Sequence, residues 1–432
     1  VKNTVIVGAQ FGDEGKAKIT DILADKADFI IRYQGGCNAG HTVVANGQTY
    51  KFHLIPSGLL YENKTCFIGP GVVIHPDSFE KELNDLVEQG VSREHIEKTL
   101  RICPLAHITM PYHIDIDRYS EDMLEDVTKI GTTKKGIGPT YADKFNRLGI
   151  KVEDLFSPET LDKKLDTTLA VKNRELSGSF GQKPYSKQLL LMLCKEYKKL
   201  LEPFVSFGWQ DVLRDAKKGK TILFEGAQGV LLDVDYGTYP YVTSSNPIGG
   251  GAAVGSGMGP LSIQEVLGVF KAYMTRVGEG PFITELNDET GDEIRKIGTE
   301  FGVTTGRPRR CGYFDAVMAK YSVLAGGLSS AAITKLDIFD SFDEVKVCTA
   351  YRNKKTDEVV TYYPTNVYVH SDYEPIYESF PGWKTDITGC KTYNELPENA
   401  RKYIEKLEGI LEIPVSIVGV GPGREQVIFR QA

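Results

Sequence analysis

Apolar and polar positions along this chain repeat with two different periods, and the switches between them predict its elements. The first apolar run, Thr4-Val5-Ile6-Val7, is short and unbroken, as in a strand buried on both faces. Ile19, Ile22, Leu23 and Ala27 then recur at helical spacing. Val43-Val44-Ala45 and Gln48-Thr49-Tyr50-Lys51-Phe52 flank Asn46-Gly47, a two-residue hairpin turn. The first 75 residues thus read as strand, helix, strand and hairpin. A helix is expected over 76–86 and a strand over 100–103. Residues 159–218 place Lys, Glu and Leu at helical spacing and read as a helical insertion that buries Trp209. Further strands are expected at 221–224, 269–275 and 415–418, with strand then loop over 332–337. Residues 345–351 and 358–363 predict an antiparallel pair, and 395–407 a helix.

Strands alternating with helices predict an α/β fold. In such sheets ligands sit beyond the carboxyl ends of the strands, and several polar, glycine-rich segments here directly follow a predicted strand. With 432 residues the chain is two or three units, or one large sheet with insertions. Hydrophobic content of 41% and charged content of 25% are those of an ordinary globular enzyme. No apolar run approaches the roughly 18–20 residues that span a bilayer, and no signal or transit segment is visible, so no membrane partner is expected. The net charge of −7 counts against nucleic acid. Seven dispersed cysteines without C-x-x-C spacing read as free thiols of a reducing, cytoplasmic setting, not as a zinc site or a disulfide frame.

The chemistry begins at Gln10-Phe11-Gly12-Asp13-Glu14-Gly15-Lys16, between the first strand and the first helix. Glycines let backbone N–H groups approach phosphate, the helix start favours negative charge, and Lys16 adds a cation. The loop is close to a P-loop, but six residues separate Gly8 from Gly15, and Ala17 stands where a Ser or Thr would hold magnesium. Asp13 is the nearest replacement ligand. A carboxylate inside a phosphate cradle is repelled by its ligand unless it holds a metal or takes a proton, which points to catalysis. The fold class expected is therefore α/β and P-loop NTPase-like: a large, mixed, mostly parallel central sheet flanked by helices, with a helical insertion and antiparallel β subregions. A single catalytic domain over 1–432 is expected, with a mostly loop and helical insertion at about 105–220 and a β-hairpin region at about 340–370.

Four further segments carry candidate chemistry. Gly35-Gly36-Cys37-Asn38-Ala39-Gly40-His41-Thr42 combines small residues with directional polar groups, and His41 is either a general acid or a loop histidine bonded to backbone. Thr132-Thr133-Lys134-Lys135-Gly136-Ile137-Gly138-Pro139 has the composition of a second anion cradle, or of a solvated turn. Thr304-Thr305-Gly306-Arg307-Pro308-Arg309-Arg310 offers arginine forks to carboxylate or phosphate. Thr334-Lys335-Leu336-Asp337 resembles the base-reading motif of GTP-binding proteins. There an Asp accepts from guanine N1–H and N2–H₂, donors that adenine lacks, while a lysine stem covers the base.

Together these segments, with 53–58, 224–229, 233–246 and 275–285, resemble the adenylosuccinate synthetase family in that family's order along nearly the whole chain. The resemblance implies a GTP-dependent C–N ligase that forms adenylosuccinate from IMP and L-aspartate, through 6-phosphoryl-IMP, in AMP biosynthesis. It implies catalytic roles for Asp13, His41, Gln228 and Lys16, and magnesium on Asp13 and the carbonyl of Gly40. IMP would meet Asp13, Glu14, Gly15, Lys16, Asn38, Ala39, Gly40, His41, Thr133, Gln228, Thr243 and Arg307. Arg147 would reach IMP from the neighbouring subunit of a homodimer. GTP would meet Gly12 through Ala17, Lys18, Gly40, His41, Thr42 and Arg309, with Lys335, Leu336, Asp337, Gly419, Val420 and Gly421 around the base. Val303, Thr304, Thr305, Gly306, Arg307, Pro308 and Arg309 would bind aspartate. Ala17 departs from the family's usual glycine, and Cys37 stands where a histidine or another residue is often found. A GTPase switch and a nicotinamide oxidoreductase are the competing classes. The first leaves Asp13 unexplained, and the second lacks a G-x-G-x-x-G.

Overall fold

The computed structural model describes residues 2–45, 47–124, 131–301 and 308–430. Nine strands form the central sheet, in the order Val427–Phe429, Val415–Gly419, Ser330–Thr334, Glu265–Lys271, Thr4–Gly8, Ile222–Glu225, Phe29–Arg32, Thr65–Ile68 and Leu100–Ile102. Every neighbouring pair is parallel except the edge pair Val415–Gly419 with Val427–Phe429. Thr4–Gly8 lies at the centre and is buried at every position, as its unbroken apolar run requires. Alternate residues feed opposite faces. Ile6 and Ile30 join one hydrophobic core, while Val5, Val7, Phe29 and Ile31 join the other.

Parallel pairing sets the site. The carboxyl ends of Thr4–Gly8, Phe29–Arg32, Ile222–Glu225, Ser330–Thr334 and Val415–Gly419 all open on one rim. The segments that follow these strands include the phosphate loop, the Asn38–His41 loop, Gln228, Lys335 to Asp337 and Gly419 to Gly421. Five distant stretches of sequence therefore converge because their strands run the same way.

The expected helix over 76–86 is Pro76–Glu88, begun by proline at its first position and by His75 Nδ1, which accepts from Ser78 N at 3.2 Å. The helical stretch from 159 resolves into Pro158–Phe180, Lys187–Leu201 and Trp209–Ala216. Trp209 is only half-buried, contrary to expectation, because it opens its helix at the surface and lies against Gly257. The expected strand over 269–275 is two strands in two sheets. Glu265–Lys271 stays in the central sheet, and Tyr273–Arg276 pairs antiparallel with Arg310–Asp315 in a second, five-stranded one. Ala272 marks the break, its N–H still donating to Thr334 O at 2.9 Å. Glu344–Asn353 pairs with Val359–Val360 over two residues only, and its long antiparallel partner is Tyr373–Pro381. The hairpin His41–Ala45 with Gln48–Phe52 forms in the expected register.

The glycine-dense stretch 249–259 forms the helix Gly249–Ser256, whose glycines serve close packing. A Cβ on Gly255 would stand 2.0 Å from Tyr33 O. A buried charge cluster ties together three helices that follow one another in sequence, Pro111–Asp122, Ile137–Asn146 and Pro158–Phe180. Asp143, on Ile137–Asn146, accepts from His113 Nε2 at 2.9 Å and lies 2.6 Å from Lys172 Nζ. Met110 N donates to His113 Nδ1 at 2.9 Å, so the ring proton is on Nε2 and His113 is neutral. Among the described residues no helix is long and apolar enough to cross a membrane. All seven cysteines are free, and six of them are buried.

Gly255→Ala forces backbone apart in a packed core, a change that costs about 1–3 kcal/mol. A lowered Tm in a thermal melt is expected. An unchanged Tm would mean that this helix shifts freely and that the close approach is not needed.

Candidate active site

The phosphate loop owes its shape to Glu14. Its fully buried carboxylate folds back into the loop, where Oε1 accepts from Gln10 N at 3.0 Å and Gly12 N at 2.8 Å. Oε2 accepts from Lys16 Nζ at 2.5 Å. Gly8 is required beneath this knot, since a Cβ there would lie 2.5 Å from Glu14 Oε2 and 2.4 Å from Gln228 O. Gly15 caps the helix Lys16–Ala24 in the left-handed region, at φ 80°. Asp13 shares that region at φ 60°, which is uncommon for a residue with a side chain. The result is a division of labour. Glu14 is turned inward, while the carboxylate of Asp13 is 40% exposed and lines a cavity of about 900 Å³. Arg309 Nε lies 3.2 Å from Asp13 Oδ2, without the alignment of a hydrogen bond.

Gly12, Lys16, Ala17, Lys18, Asn38, Gly40, His41, Thr42, Thr133, Gln228 and Thr243 line the same cavity. His41 is buried and donates from Nδ1 to Glu225 Oε1 at 2.7 Å. Glu225 Oε2 accepts from Ser57 N at 3.0 Å and Ser57 Oγ at 2.9 Å. Burial lowers the His41 pKa and the Glu225 contact opposes it, with a net fall. For Glu225 burial raises the pKa, but the bond from His41 and the charge of Arg32 prevail and hold it below the ordinary carboxylate range. This arrangement fixes the ring and leaves Nε2 for the cavity. Gln228 is likewise left-handed, at φ 58°. Its Oε1 accepts from Gln34 Nε2 at 3.0 Å, and its Nε2 is buried with no partner. An unpaired buried amide donor beside a polar cavity calls for a partner.

Lys335 and Asp337 stand past the end of Ser330–Thr334, beside Lys18. Lys335 is left-handed at φ 57°, and Asp337 Oδ1 is buried without a partner. Burial raises the Asp337 pKa despite Lys18 and Lys335 nearby. Lys18 Nζ donates to Gly421 O at 2.7 Å and Gln426 O at 2.9 Å, tying the first helix to the loop after Val415–Gly419. Burial lowers Lys18 to about 8, against the pull of Asp337 and Glu425.

Not every expected residue faces the cavity. Glu14 is internal to the loop, and Leu336 and Val420 are fully buried in the core. Arg147 is exposed and outside the lining of its own chain's cavity. Val303, Thr304, Thr305, Gly306 and Arg307 lie outside the described residues, whereas Pro308 pairs with Phe301 and Arg309 reaches Asp13. Among the described residues no group of three or more His, Cys, Asp or Glu could hold a metal. Sequence reasoning missed Glu225, Ser57 and Gln34. A charged residue closing the apolar run Ile222-Leu223-Phe224 was the available signal for Glu225.

A parallel sheet, a glycine-rich strand-to-helix loop at its central strand and a buried, unpaired carboxylate two strands away have the form of a nucleotide-dependent α/β enzyme. The sequence model of the family described as adenylosuccinate synthetase matches residues 5–428. The adenylosuccinate synthetase of Heliobacterium modesticaldum is 52% identical, over 99% of both chains. That of Halothermothrix orenii is 49% identical, again over 99% of both. The solved structure of fully ligated adenylosuccinate synthetase from Plasmodium falciparum superposes with a TM-score of 0.91 at 38% identity, covering 100% of each chain. The chain belongs to the adenylosuccinate synthetase family. It is a GTP-dependent ligase that forms adenylosuccinate from IMP and L-aspartate in AMP biosynthesis.

Glu225→Gln removes the charge that holds His41, and kcat is expected to fall at least ten-fold with the GTP KM little changed, as for loss of a charged hydrogen bond worth about 1.5–3 kcal/mol. The folded pKa of Glu225 lies below its ordinary value. Its stabilisation is therefore complete above that ordinary value and lost as pH falls through the lower, folded one. Acid unfolding of the variant should lose that part of its pH dependence. Wild-type kcat in the variant would rule out the His41 anchor.

Proposed function

We propose that Asp13, His41 and Gln228 divide the two chemical steps of this ligase. In the first, Asp13 takes the N1 proton of IMP, O6 attacks the γ-phosphorus of GTP, and GDP departs. In the second, the amine of L-aspartate attacks C6 of 6-phosphoryl-IMP, and phosphate leaves. Amide O6 is a poor nucleophile and a poor leaving group. Deprotonation corrects the first fault and phosphorylation the second. Gln228 Nε2 supplies a donor to the purine as charge builds on it, and His41 Nε2 supports the transferring phosphoryl group. The observation that carries this reading is the opposed setting of two adjacent carboxylates: Glu14 is sealed inside the loop, and Asp13 is presented to the cavity.

Asp13 and Gly40 fit a magnesium ion. Asp13 and Gly40 line the same cavity, and magnesium commonly takes one or two carboxylates with the rest of its shell from phosphate and water. Bound there, it would neutralise charge on the transferring phosphates. Lys16 offers its ammonium to the same phosphates, in competition with Glu14. Asp337 accepts from guanine N1–H and N2–H₂, which would satisfy its unpaired oxygen. Asn38, Thr133 and Thr243 hold IMP. Thr304, Thr305 and Arg307 are assigned to aspartate from the sequence. Arg147, exposed at the end of Ile137–Asn146, reaches the IMP of a partner subunit in a homodimer.

Asp13→Ala is expected to abolish adenylosuccinate formation, read by absorbance, while GTP and IMP still bind in equilibrium titration. Undiminished turnover would sink this mechanism. Omitting IMP should suppress GTP hydrolysis as well, whereas a GTPase switch would hydrolyse GTP unaided.

A further inference from the structure

Glu300 is fully buried, and both oxygens of its carboxylate are taken. Oε1 accepts from Lys271 Nζ at 2.8 Å, Lys335 Nζ at 2.8 Å and Tyr273 OH at 2.5 Å. Oε2 accepts from Arg309 Nη1 at 2.7 Å. Its backbone joins in, since Arg309 N donates to Glu300 O at 2.9 Å. Lys271 ends the strand Glu265–Lys271 and is buried with Glu300. Three cations thus meet on one buried carboxylate, and removing it would leave the fully buried Lys271 without a carboxylate partner. Burial pushes the carboxyl up, but Lys271 and Lys335 outweigh it and hold Glu300 well below the ordinary range. It is ionised.

Of the two outer cations, Arg309 lines the cavity beside Asp13, and Lys335 lies near Asp337, the proposed guanine reader. Lys335 is tied back twice, to Glu300 and to Gly298 O at 2.9 Å, so its aliphatic stem is what remains to face a base. Arg309 is pinned through Nη1 while its Nε lies 3.2 Å from Asp13 Oδ2. We infer that Glu300 is the positioning residue that sets the guanine-side lysine and the Asp13-side arginine in one fixed arrangement, so that one buried carboxylate governs both nucleotide affinity and the charge beside the reacting phosphate. The inference rests on the guanine-binding reading of Lys335 and Asp337.

Glu300→Gln keeps an acceptor for Tyr273 and loses the charge. Its KM for GTP should rise roughly ten-fold or more, as for loss of a charge-assisted hydrogen bond. ITP should be affected by the same factor, because the lysine stem covers a base face that both nucleotides share. The kcat should fall through Arg309, and the KM for IMP should hold. Asp337→Asn, measured in parallel, should change the GTP-to-ITP ratio instead. If Asp337→Asn leaves that ratio untouched, the base-reading assignment fails. If it moves the ratio while folded Glu300→Gln keeps the parent's nucleotide KM, the present inference alone fails. An equal rise in all three substrate KM values would make Glu300 a scaffold residue and overturn it too. Should Glu300→Gln not fold, Lys335→Ala and Arg309→Ala decide the matter. Their effects on GTP KM should be non-additive in the double variant, and strict additivity would refute the link.

Discussion

The carboxylate of Glu14 is the constraint on which the site depends. A glycine-rich loop has many conformations, and the one observed exists because a single buried side chain gathers two of the loop's N–H groups and its lysine. A buried carboxylate without such partners is strongly disfavoured, so the loop closes around it. That closure leaves Asp13 on the outside of a left-handed turn, facing the cavity. The two acidic neighbours in Gly12-Asp13-Glu14-Gly15 are chemically alike, yet the loop's fold turns Glu14 inward and Asp13 to the cavity.

The same device recurs along the rim. Glu225 closes one strand and fixes His41, while Glu300 holds the lysine that closes another strand, together with Lys335 and Arg309. In each case a buried carboxylate orients groups at or beside the proposed ligand sites. Such groups are aimed before substrate arrives and need little reorganisation during reaction. This explains how a chain with a net charge of −7 handles a triphosphate and a nucleotide. The attraction comes from locally oriented donors, not from the overall field.

Gln228 Nε2 and Asp337 Oδ1 are buried without a hydrogen-bond partner, where the proposed purine and guanine contacts would complete them. Elsewhere burial is matched by packing so close that glycine is required, as where Gly255 meets Tyr33. A close-packed sheet and core thus carry a few side chains left free to bond to a ligand under the proposed assignment.

Local sequence determined much of this protein. The unbroken run 4–7 fixed a doubly buried strand, Asn46-Gly47 fixed the hairpin register, and the glycine spacing around Asp13 marked an anion site, because each effect acts over a few neighbouring residues. Likeness in the order of motifs then identified the family. Tertiary structure decided what depends on distant residues. It broke 269–275 into two strands at Ala272, left Trp209 half-buried at the edge of the core, and turned Glu14 inward while Asp13 faced out. It also paired His41 with Glu225, 184 positions away, and Lys335 with Glu300. The burial of a charge, and the partner that makes that burial tolerable, are set by which strand ends meet in space, and no spacing along the chain encodes them.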